Sequence, residues 1–308
     1  MVSQPRYAVR LQNVNIRTDS TGRAFEQHRH RLWGVAYRML GSHADADDMV
    51  QEAYLRWHRA APEEVRAPQA WLVTTTTRLC IDRLRQRRAE REAYVGPWLP
   101  EPLVSEAPAA YEATELASDL SLAFLAVLER LAPEERAAFL LHEVFESDYS
   151  DIARTLDKSE AACRQIVSRA RRRVRSERPR VRVSAASRAR LLERFVDAIE
   201  SRNQHALLEL FDADATWTSD GGGKAKAALK VVRGAQKVAR FVLGVLRSVA
   251  TELELRPVVV NGERGLAFIV RGHLVSILSI RTDSERILGV YSVLNPEKLR
   301  GVAIDKPH

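Results

Sequence analysis

Residues 149–173 read YSDIARTLDKSEAACRQIVSRARRR, and this stretch decides the fold of the middle of the chain. The apolar residues of its first half recur at the spacing of one face of a short helix: Ile152, Ala153 and Leu156. A turn follows, and then a second helix whose apolar face consists of Cys163, Val167 and Ala170. Two short helices joined by a tight turn predict a helix-turn-helix.

The polar residues of the second helix then point to solvent, in the half that meets base edges in a DNA major groove. They are Ser159, which also caps the helix, Glu160, Ala161, Arg164, Gln165 and Ser168. Arginines follow that can neutralise phosphates, namely Arg169, Arg171 and Arg172. Residues 151–182 hold eleven Lys or Arg against four Asp or Glu. A basic, solvated helix is the alternative, but the helix-turn-helix spacing favours DNA binding.

Composition bounds the remaining possibilities. With 308 residues the chain is long enough for several domains, and its formal charge of +8 favours a polyanionic partner. Because no apolar run reaches the roughly 18 residues of a membrane span, we expect no membrane partner. The first two dozen residues lack the apolar core and cleavage site of a secretory signal, so we expect a cytoplasmic protein. The two cysteines, Cys80 and Cys163, have no metal-ligand spacing, so buried, reduced thiols are expected and no metal or cofactor.

Periodicity divides the chain into six segments. Residues 1–23 form an expected disordered leader, and 24–92 a helical bundle. The proline-containing stretch 93–116 is an expected linker, since residues 93–118 carry four glutamates and no basic residue. Residues 117–182 are a second helical module, 187–300 an α+β domain with a curved antiparallel sheet, and 301–308 a tail.

Residues 45–57, DADDMVQEAYLRW, resemble a helix of domain two of the extracytoplasmic-function sigma factors of RNA polymerase. The stretch 149–173 resembles their domain four, and the acidic linker their channel-threading segment. The resemblance implies core RNA polymerase as partner, through its β′ clamp helices and β flap, together with promoter DNA. It also implies core-polymerase contacts at Asp47, Asp48, Gln51, Glu52 and Leu55, where the alternative is a solvated acidic face.

Two further segments, 68–72 and 78–85, are similar to the promoter-opening part of sigma domain two. The resemblance implies DNA contacts at Arg78, Arg85 and Arg88. Trp71 fits either a stacking role or the core. Because Arg78 stands where this group commonly has asparagine, the base preference does not carry over.

Residues 187–300 resemble the SnoaL-like branch of the cone-shaped nuclear-transport-factor-two fold, as found in the SigJ-type subgroup of sigma factors. That likeness implies a multidomain fold of two all-α sigma domains followed by this α+β cone. It also implies that the extension regulates the protein in cis, replacing an anti-sigma factor. The implied interdomain residues are Trp98, Glu101, Asp220, Gly221, Gly222, Gly223, Lys224, Asn295 and Lys298. The alternative to an interdomain contact is an ordinary glycine-rich loop at 220–224 and an ordinary turn at 295–299.

Two other functions stay open. A one-component DNA-binding regulator would bind its operator without polymerase. An enzyme on the cone fold would need acid and base residues, for which the sequence offers His205, Asp212, Asp214 and His273. Since the sequence does not place any two of these residues in one cavity, we expect no catalytic residue. For the cone domain, a pocket that binds an unknown small ligand is a stronger hypothesis than catalysis.

Overall fold

The computed structural model describes residues 20–60, 65–105, 120–177, 183–249 and 253–302. The expected leader up to residue 19, the distal linker and most of the tail therefore lie outside the described residues. The first helical module contains the helices α1 Ser20–Leu40, α2 His43–Arg59, α3 Pro68–Gln86 and α4 Arg88–Glu92. Ser42 caps α2 by accepting a hydrogen bond from the Asp45 amide, and Pro68 begins α3, where its missing N–H has no helical partner.

The second helical module consists of α5 Leu122–Leu128, α6 Pro133–Glu143, α7 Tyr149–Leu156 and α8 Glu160–Glu177. It does not pack as a separate body. Val35 and Leu40 of the first module share one buried cluster with Phe124 and Leu140 of the second. Trp57 and Ile152 share another, so burial of both modules depends on their contact.

Buried polar bonds also cross between the modules. Arg136, only 3% exposed, donates to the carbonyl of Met39 at 2.6 Å and to the Glu129 carboxylate at 2.6 Å. Arg31 donates to the carbonyl of Phe145 at 2.8 Å. Because these arginines satisfy backbone acceptors across the contact, separating the modules exposes several hydrogen-bonding groups together.

The C-terminal domain has the expected α+β composition. Its helices are α9 Ala185–Glu200, α10 Gln204–Leu210, α11 Ala235–Ser248 and α12 Pro296–Leu299. Its strands are β2 Phe211–Asp220, β3 Val232–Arg233, β4 Leu253–Val260, β5 Glu263–Val270, β6 His273–Thr282 and β7 Ile287–Val293. The sheet order is β1-β4-β5-β6-β7-β2-β3, in which β1 is Val104–Ser105.

The expectation of an antiparallel sheet was wrong at one pair of strands. β2 and β7 run parallel, with Trp217 opposite Val290 and Asp220 opposite Val293. Parallel neighbours need a long crossover connection, which here includes α11 and the four strands β3, β4, β5 and β6. The alternation of apolar residues showed that both strands exist but carried no information about their direction.

The two faces of the sheet have different neighbours. On one face Leu278, Val290 and Trp217 pack against α9, α10 and α11. On the opposite face Ile277 and Val293 join a cluster with Leu99 of the linker and Leu122 of α5. The C-terminal domain is therefore packed directly on the second helical module.

The linker supplies the edge strand of the sheet. Val104 and Ser105 of β1 pair antiparallel with Val260 and Val259 of β4. An extended segment was expected here, but its pairing was not. Within the described residues, no helix is long and apolar enough to span a bilayer, and Cys80 and Cys163 are buried and free.

Candidate functional site

Two local features, the end of α7 and the N-cap of α8, form the turn of the helix-turn-helix. α7 ends at Leu156, and the amide of the next residue, Asp157, donates to the carbonyl of Ala153. The left-handed φ of 52° at Asp157 then turns the chain so that the Lys158 amide donates to the same carbonyl at 3.1 Å. Ser159 then accepts the Ala162 amide at 3.2 Å as the cap of α8. Cys163, Val167 and Ala170 are buried, which fixes the rotation of α8 about its axis.

The opposite face of α8 is open to solvent. Ser159, Glu160, Arg164, Gln165 and Ser168 are all exposed. Arg164 pairs with Glu160 at 2.8 Å, which is a surface ion pair of little strength. The side chains expected to meet bases therefore form one accessible surface on α8.

The arginines toward the end of α8 differ in their contacts. Arg169 and Arg172 are exposed, whereas Arg171 pairs with Glu143 of α6. That side-chain hydrogen bond raises the pKa of Arg171. Arg169 and Arg172 are therefore better placed to contact DNA phosphates. Arg171 can do so only after its ion pair with Glu143 breaks.

The expected polymerase face lies on α2. Asp48, Gln51 and Leu55 are exposed, while Glu52 is half-buried beside Arg56. Asp47 is also half-buried and accepts the indole N–H of Trp33 at 2.8 Å. Four of the five expected residues therefore present side chains that a partner could reach, and Asp47 holds the packing of α1 against α2.

The DNA candidates of α3 and α4 already have protein partners. Arg78 donates from Nε to the carbonyl of Thr155 at 2.9 Å and from Nη2 to the carbonyl of Arg154 at 2.5 Å. Arg85 bonds Glu134 at 2.7 Å, and Arg88 bonds Glu92 at 2.8 Å. Since Thr155 and Glu134 belong to the second module, that module covers part of this surface. Trp71 packs on Trp57, with ring centroids 5.5 Å apart.

Asp220 is the centre of the contact between the linker and the C-terminal domain. Its carboxylate is fully buried and accepts the hydroxyl of Tyr94 at 2.6 Å and the amide of Leu99 at 2.7 Å. Lys298 donates to the same carboxylate at 2.6 Å and to the carbonyl of Leu99 at 2.5 Å. We call Tyr94, Leu99, Asp220 and Lys298 the linker clamp.

Aromatic and electrostatic contacts complete the linker clamp. The Trp98 ring lies between the Arg91 guanidinium, 3.1 Å from its centroid, and the Lys298 ammonium, at 3.9 Å. Burial lowers the pKa of Lys298 to about 8, although the Asp220 carboxylate opposes this. Lys298 therefore stays mostly cationic at neutral pH. For Tyr94, burial and the hydrogen bond to Asp220 raise the pKa of the hydroxyl.

Glu101 connects the linker to the first helical module. Its carboxylate accepts the amide of His43 at 2.6 Å, and its own amide donates to the carbonyl of Gly41 at 2.9 Å. Tyr37 donates to the carbonyl of Glu101 at 2.6 Å and accepts from the Asn261 side chain at 2.7 Å. The linker is thus held between α1, α2 and the β4–β5 turn.

Three of these residues were missed by sequence reasoning. Tyr94 and Tyr37 belong to no motif, and the pair Asn261-Gly262 indicates in the sequence only a turn between two strands. Asn261 does occupy that turn, with a φ of 53°. Its side-chain oxygen also accepts the Leu103 amide at 3.1 Å, so one residue makes the turn and binds the linker.

Gly222 and Gly223 support the linker clamp by close approach to it, whereas Gly221 lies against Ala225 and Ala227 of its own loop. A Cβ on Gly222 would lie 2.7 Å from the Tyr94 hydroxyl and 2.3 Å from the Asn295 amide nitrogen. Gly223 lies beside Val95, and Asn295 donates to Tyr94 at 2.9 Å. Lys224 instead pairs with Glu297 inside the C-terminal domain.

The four candidate acid and base residues share no site. His205 is exposed and pairs with Glu209 on the surface of α10. Asp212 accepts a hydrogen bond from the Asp214 amide at 2.9 Å at the start of β2, and His273 lies exposed at the start of β6. Nothing in their positions assembles a general acid with a general base.

Three segments of the chain match known families. Residues 24–90 match Sigma-70 region 2, residues 121–174 match Sigma-70 region 4, and residues 192–292 match the SnoaL-like domain. The matches follow one another along the chain in the order of the two helical modules and the C-terminal domain.

Whole-chain relatives agree with these segments. The chain is 37% identical to the ECF RNA polymerase sigma factor SigJ of Mycobacterium tuberculosis, over 90% of this chain and 92% of that protein. It is 32% identical to the probable ECF RNA polymerase sigma factor SigI of the same species, over 91% and 95%. The crystal structure of M. tuberculosis SigJ superposes with a TM-score of 0.74 at 34% identity, covering 91% of this chain and 99% of that one.

Proposed function

The chain belongs to the extracytoplasmic-function sigma factors of RNA polymerase, and we propose that its SnoaL-like domain regulates it in cis through the linker clamp. As a sigma factor it binds core RNA polymerase and directs transcription initiation at promoters. The proposed boundaries are those of the sequence: 24–92 and 117–182 for the sigma domains, 93–116 for the linker and 187–300 for the regulator.

The polymerase contact is assigned to the open face of α2. Asp48, Gln51, Glu52 and Leu55 combine negative charge with one apolar side chain, which suits the basic clamp helices of the β′ subunit. Asp47 supports this face through Trp33. The second module is assigned to the β flap, so the two sigma domains take separate places on the polymerase.

The described arrangement is proposed to be the inactive one. Two domains that share buried clusters cannot also separate to reach two promoter elements. Arg78 is held by the carbonyls of Arg154 and Thr155, so its DNA role requires that contact to open. The base-contacting face of α8 is not covered, and the control therefore acts through domain separation.

The observation that carries the proposal is that the buried Asp220 carboxylate binds Tyr94 and Leu99 of the linker and Lys298 of its own domain. A linker that forms the edge strand of the SnoaL-like sheet cannot at the same time thread the polymerase channel. Because the regulator is tethered, its effective concentration is high and a modest contact suffices. Any signal that weakens the linker clamp shifts the population toward the extended state.

Because the chain belongs to the sigma factors, we interpret the DNA-binding surface of α8 as part of a sigma factor and not of a one-component regulator. We also propose that the SnoaL-like domain acts by binding rather than by catalysis. The dispersed positions of His205, Asp212, Asp214 and His273 support that proposal. A small ligand that favours release of the linker would be an inducer in this scheme.

Run-off transcription with purified core polymerase tests the DNA-reading assignment. The Arg164→Ala/Gln165→Ala protein should lose its specific start site, because each good base contact contributes about 1–3 kcal/mol of discrimination. Binding to core polymerase should be unchanged. The matched control is Arg194→Ala/Gln204→Ala, two exposed residues of the SnoaL-like domain. If the α8 variant keeps the same start site as wild type, the assignment of these two side chains is wrong.

A further inference from the structure

The SnoaL-like domain carries a second block of positive charge, far along the chain from the helix-turn-helix. Residues 221–249 contain seven Lys or Arg and no Asp or Glu. The next described part of the domain, residues 253–302, is mixed, with seven basic and five acidic residues. Such segregation is typical of an interaction surface rather than of an ordinary solvated one.

All seven basic residues are exposed: Lys224, Lys226, Lys230, Arg233, Lys237, Arg240 and Arg247. Lys224 pairs with Glu297. Among the residues that the structure describes, none is an ion-pair partner for Lys226, Lys230, Arg233 or Lys237. Within that part of the chain these four charges have no carboxylate partner, in contrast to the paired arginines of α3 and α6.

Three of the charges form a stripe on α11. Lys237, Arg240 and Arg247 are three and seven residues apart, which places them on one helix face. The buried residues Val238, Ala239, Val242 and Leu246 occupy the opposite face. Because the apolar face of α11 is buried, the basic stripe faces solvent. It lies on the side of the SnoaL-like domain opposite to the linker and α5.

Gly244 lies within this stripe. It is exposed in the middle of a helix, where glycine is less favourable than alanine, and a Cβ there would meet no atom within 4 Å. Internal packing therefore does not require a glycine. A missing side chain between Arg240 and Arg247 does leave the helix backbone open to close approach by a partner.

We propose that this surface binds the phosphate backbone of duplex DNA beside the promoter element read by α8. The inference rests on the proposed sigma function, since α8 must first bring the chain to DNA. α9 begins at Ala185 and α8 ends at Glu177, so the domain is tethered close to the bound duplex. At such effective concentration, a few phosphate contacts without base recognition add measurable affinity.

The test compares salt dependence of promoter binding by three holoenzymes, each assembled from core polymerase and a full-length protein. The stripe variant is Lys237→Gln/Arg240→Gln/Arg247→Gln. The control variant, Arg190→Gln/Arg194→Gln/Arg300→Gln, removes the same charge from exposed positions elsewhere in the domain. The probe is a promoter duplex with random flanking sequence on both sides, followed by fluorescence anisotropy.

Loss of three phosphate contacts lowers the slope of log affinity against log salt by about 2.7. Between about 50 and about 200 mM salt, wild type should then lose about 40-fold more affinity than the stripe variant. The control should keep the wild-type slope. An unchanged slope in the stripe variant overturns the proposal, and weaker assembly with core polymerase at an unchanged slope assigns the surface to the polymerase instead. If neither wild type nor control forms a promoter complex, the sigma function itself has failed.

Discussion

Core polymerase is expected to capture the Asp220→Ala protein at a concentration at least about 100-fold lower than it needs for wild type. Removing this carboxylate leaves Lys298 buried without its counter-charge, which costs about 3–5 kcal/mol. It also leaves the Tyr94 hydroxyl and the Leu99 amide without their acceptor. The bonds to Tyr94 and Leu99 exist only in the closed arrangement, and release of the linker also uncovers Lys298, which Leu99 and Trp98 contact. The extended population therefore rises.

Titration of core polymerase with labelled protein measures this shift. Hydrogen exchange at the Leu103 amide reports linker release independently, because its acceptor Asn261 is unchanged by the substitution. Tyr94→Phe removes only a linker hydroxyl and leaves the buried ion pair, so it should move both readouts in the same direction by a smaller amount. Asp214→Ala, an exposed position on the same strand, is the matched control. Faster exchange at Leu103 without tighter capture by polymerase would show that linker release does not limit assembly.

Charge reversal on α2 should have the opposite effect. Asp48→Lys/Glu52→Lys puts two positive charges on the face assigned to the basic clamp helices, where like charges cost several kcal/mol. Affinity for core polymerase should fall by at least about 100-fold, and promoter-specific transcription should be lost with it. The fold should be intact, because Asp48 is exposed and Glu52 makes only a surface pair with Arg56.

The control for that experiment is Asp197→Lys/Glu200→Lys, which makes the same charge change on exposed positions of α9. Equal losses in both proteins would mean that net charge, not the α2 face, governs assembly. Normal binding of the α2 variant would remove these two carboxylates from the polymerase contact.

Sequence periodicity predicted the helix-turn-helix because its signals are local. The spacing of Ile152 and Leu156, and the cap at Ser159, are properties of a few neighbouring residues. Local signals likewise predict a strand over residues 253–260, because a run with β-branched residues ends there at the turn pair Asn261-Gly262, and these are the bounds of β4. The parallel pairing of β2 with β7 escaped prediction because direction depends on the path of the chain between them.

The linker clamp could be predicted only in part. The family likeness pointed to Trp98, Glu101, Asp220 and Lys298, and the structure brings three of these to one place, with Glu101 against α2. Periodicity alone gave no reason to pair residue 94 with residue 220. The contacts of Tyr37 with Asn261 were beyond reach, because their significance arises only when α1 and the β4–β5 turn meet across the linker.

A reversible lock on the linker tests the central claim most directly. Val104 and Val260 are directly opposed in an antiparallel pair, a separation close to what a disulfide needs, so Val104→Cys/Val260→Cys can be oxidised in the closed arrangement. Transcription from a specific promoter should be lost on oxidation and return on reduction, while Val260→Cys alone, which contains the same buried Cys80 and Cys163, should be insensitive. If the oxidised protein still assembles with core polymerase and starts transcription as well as the reduced one, the linker need not leave the SnoaL-like sheet, and regulation through it is wrong.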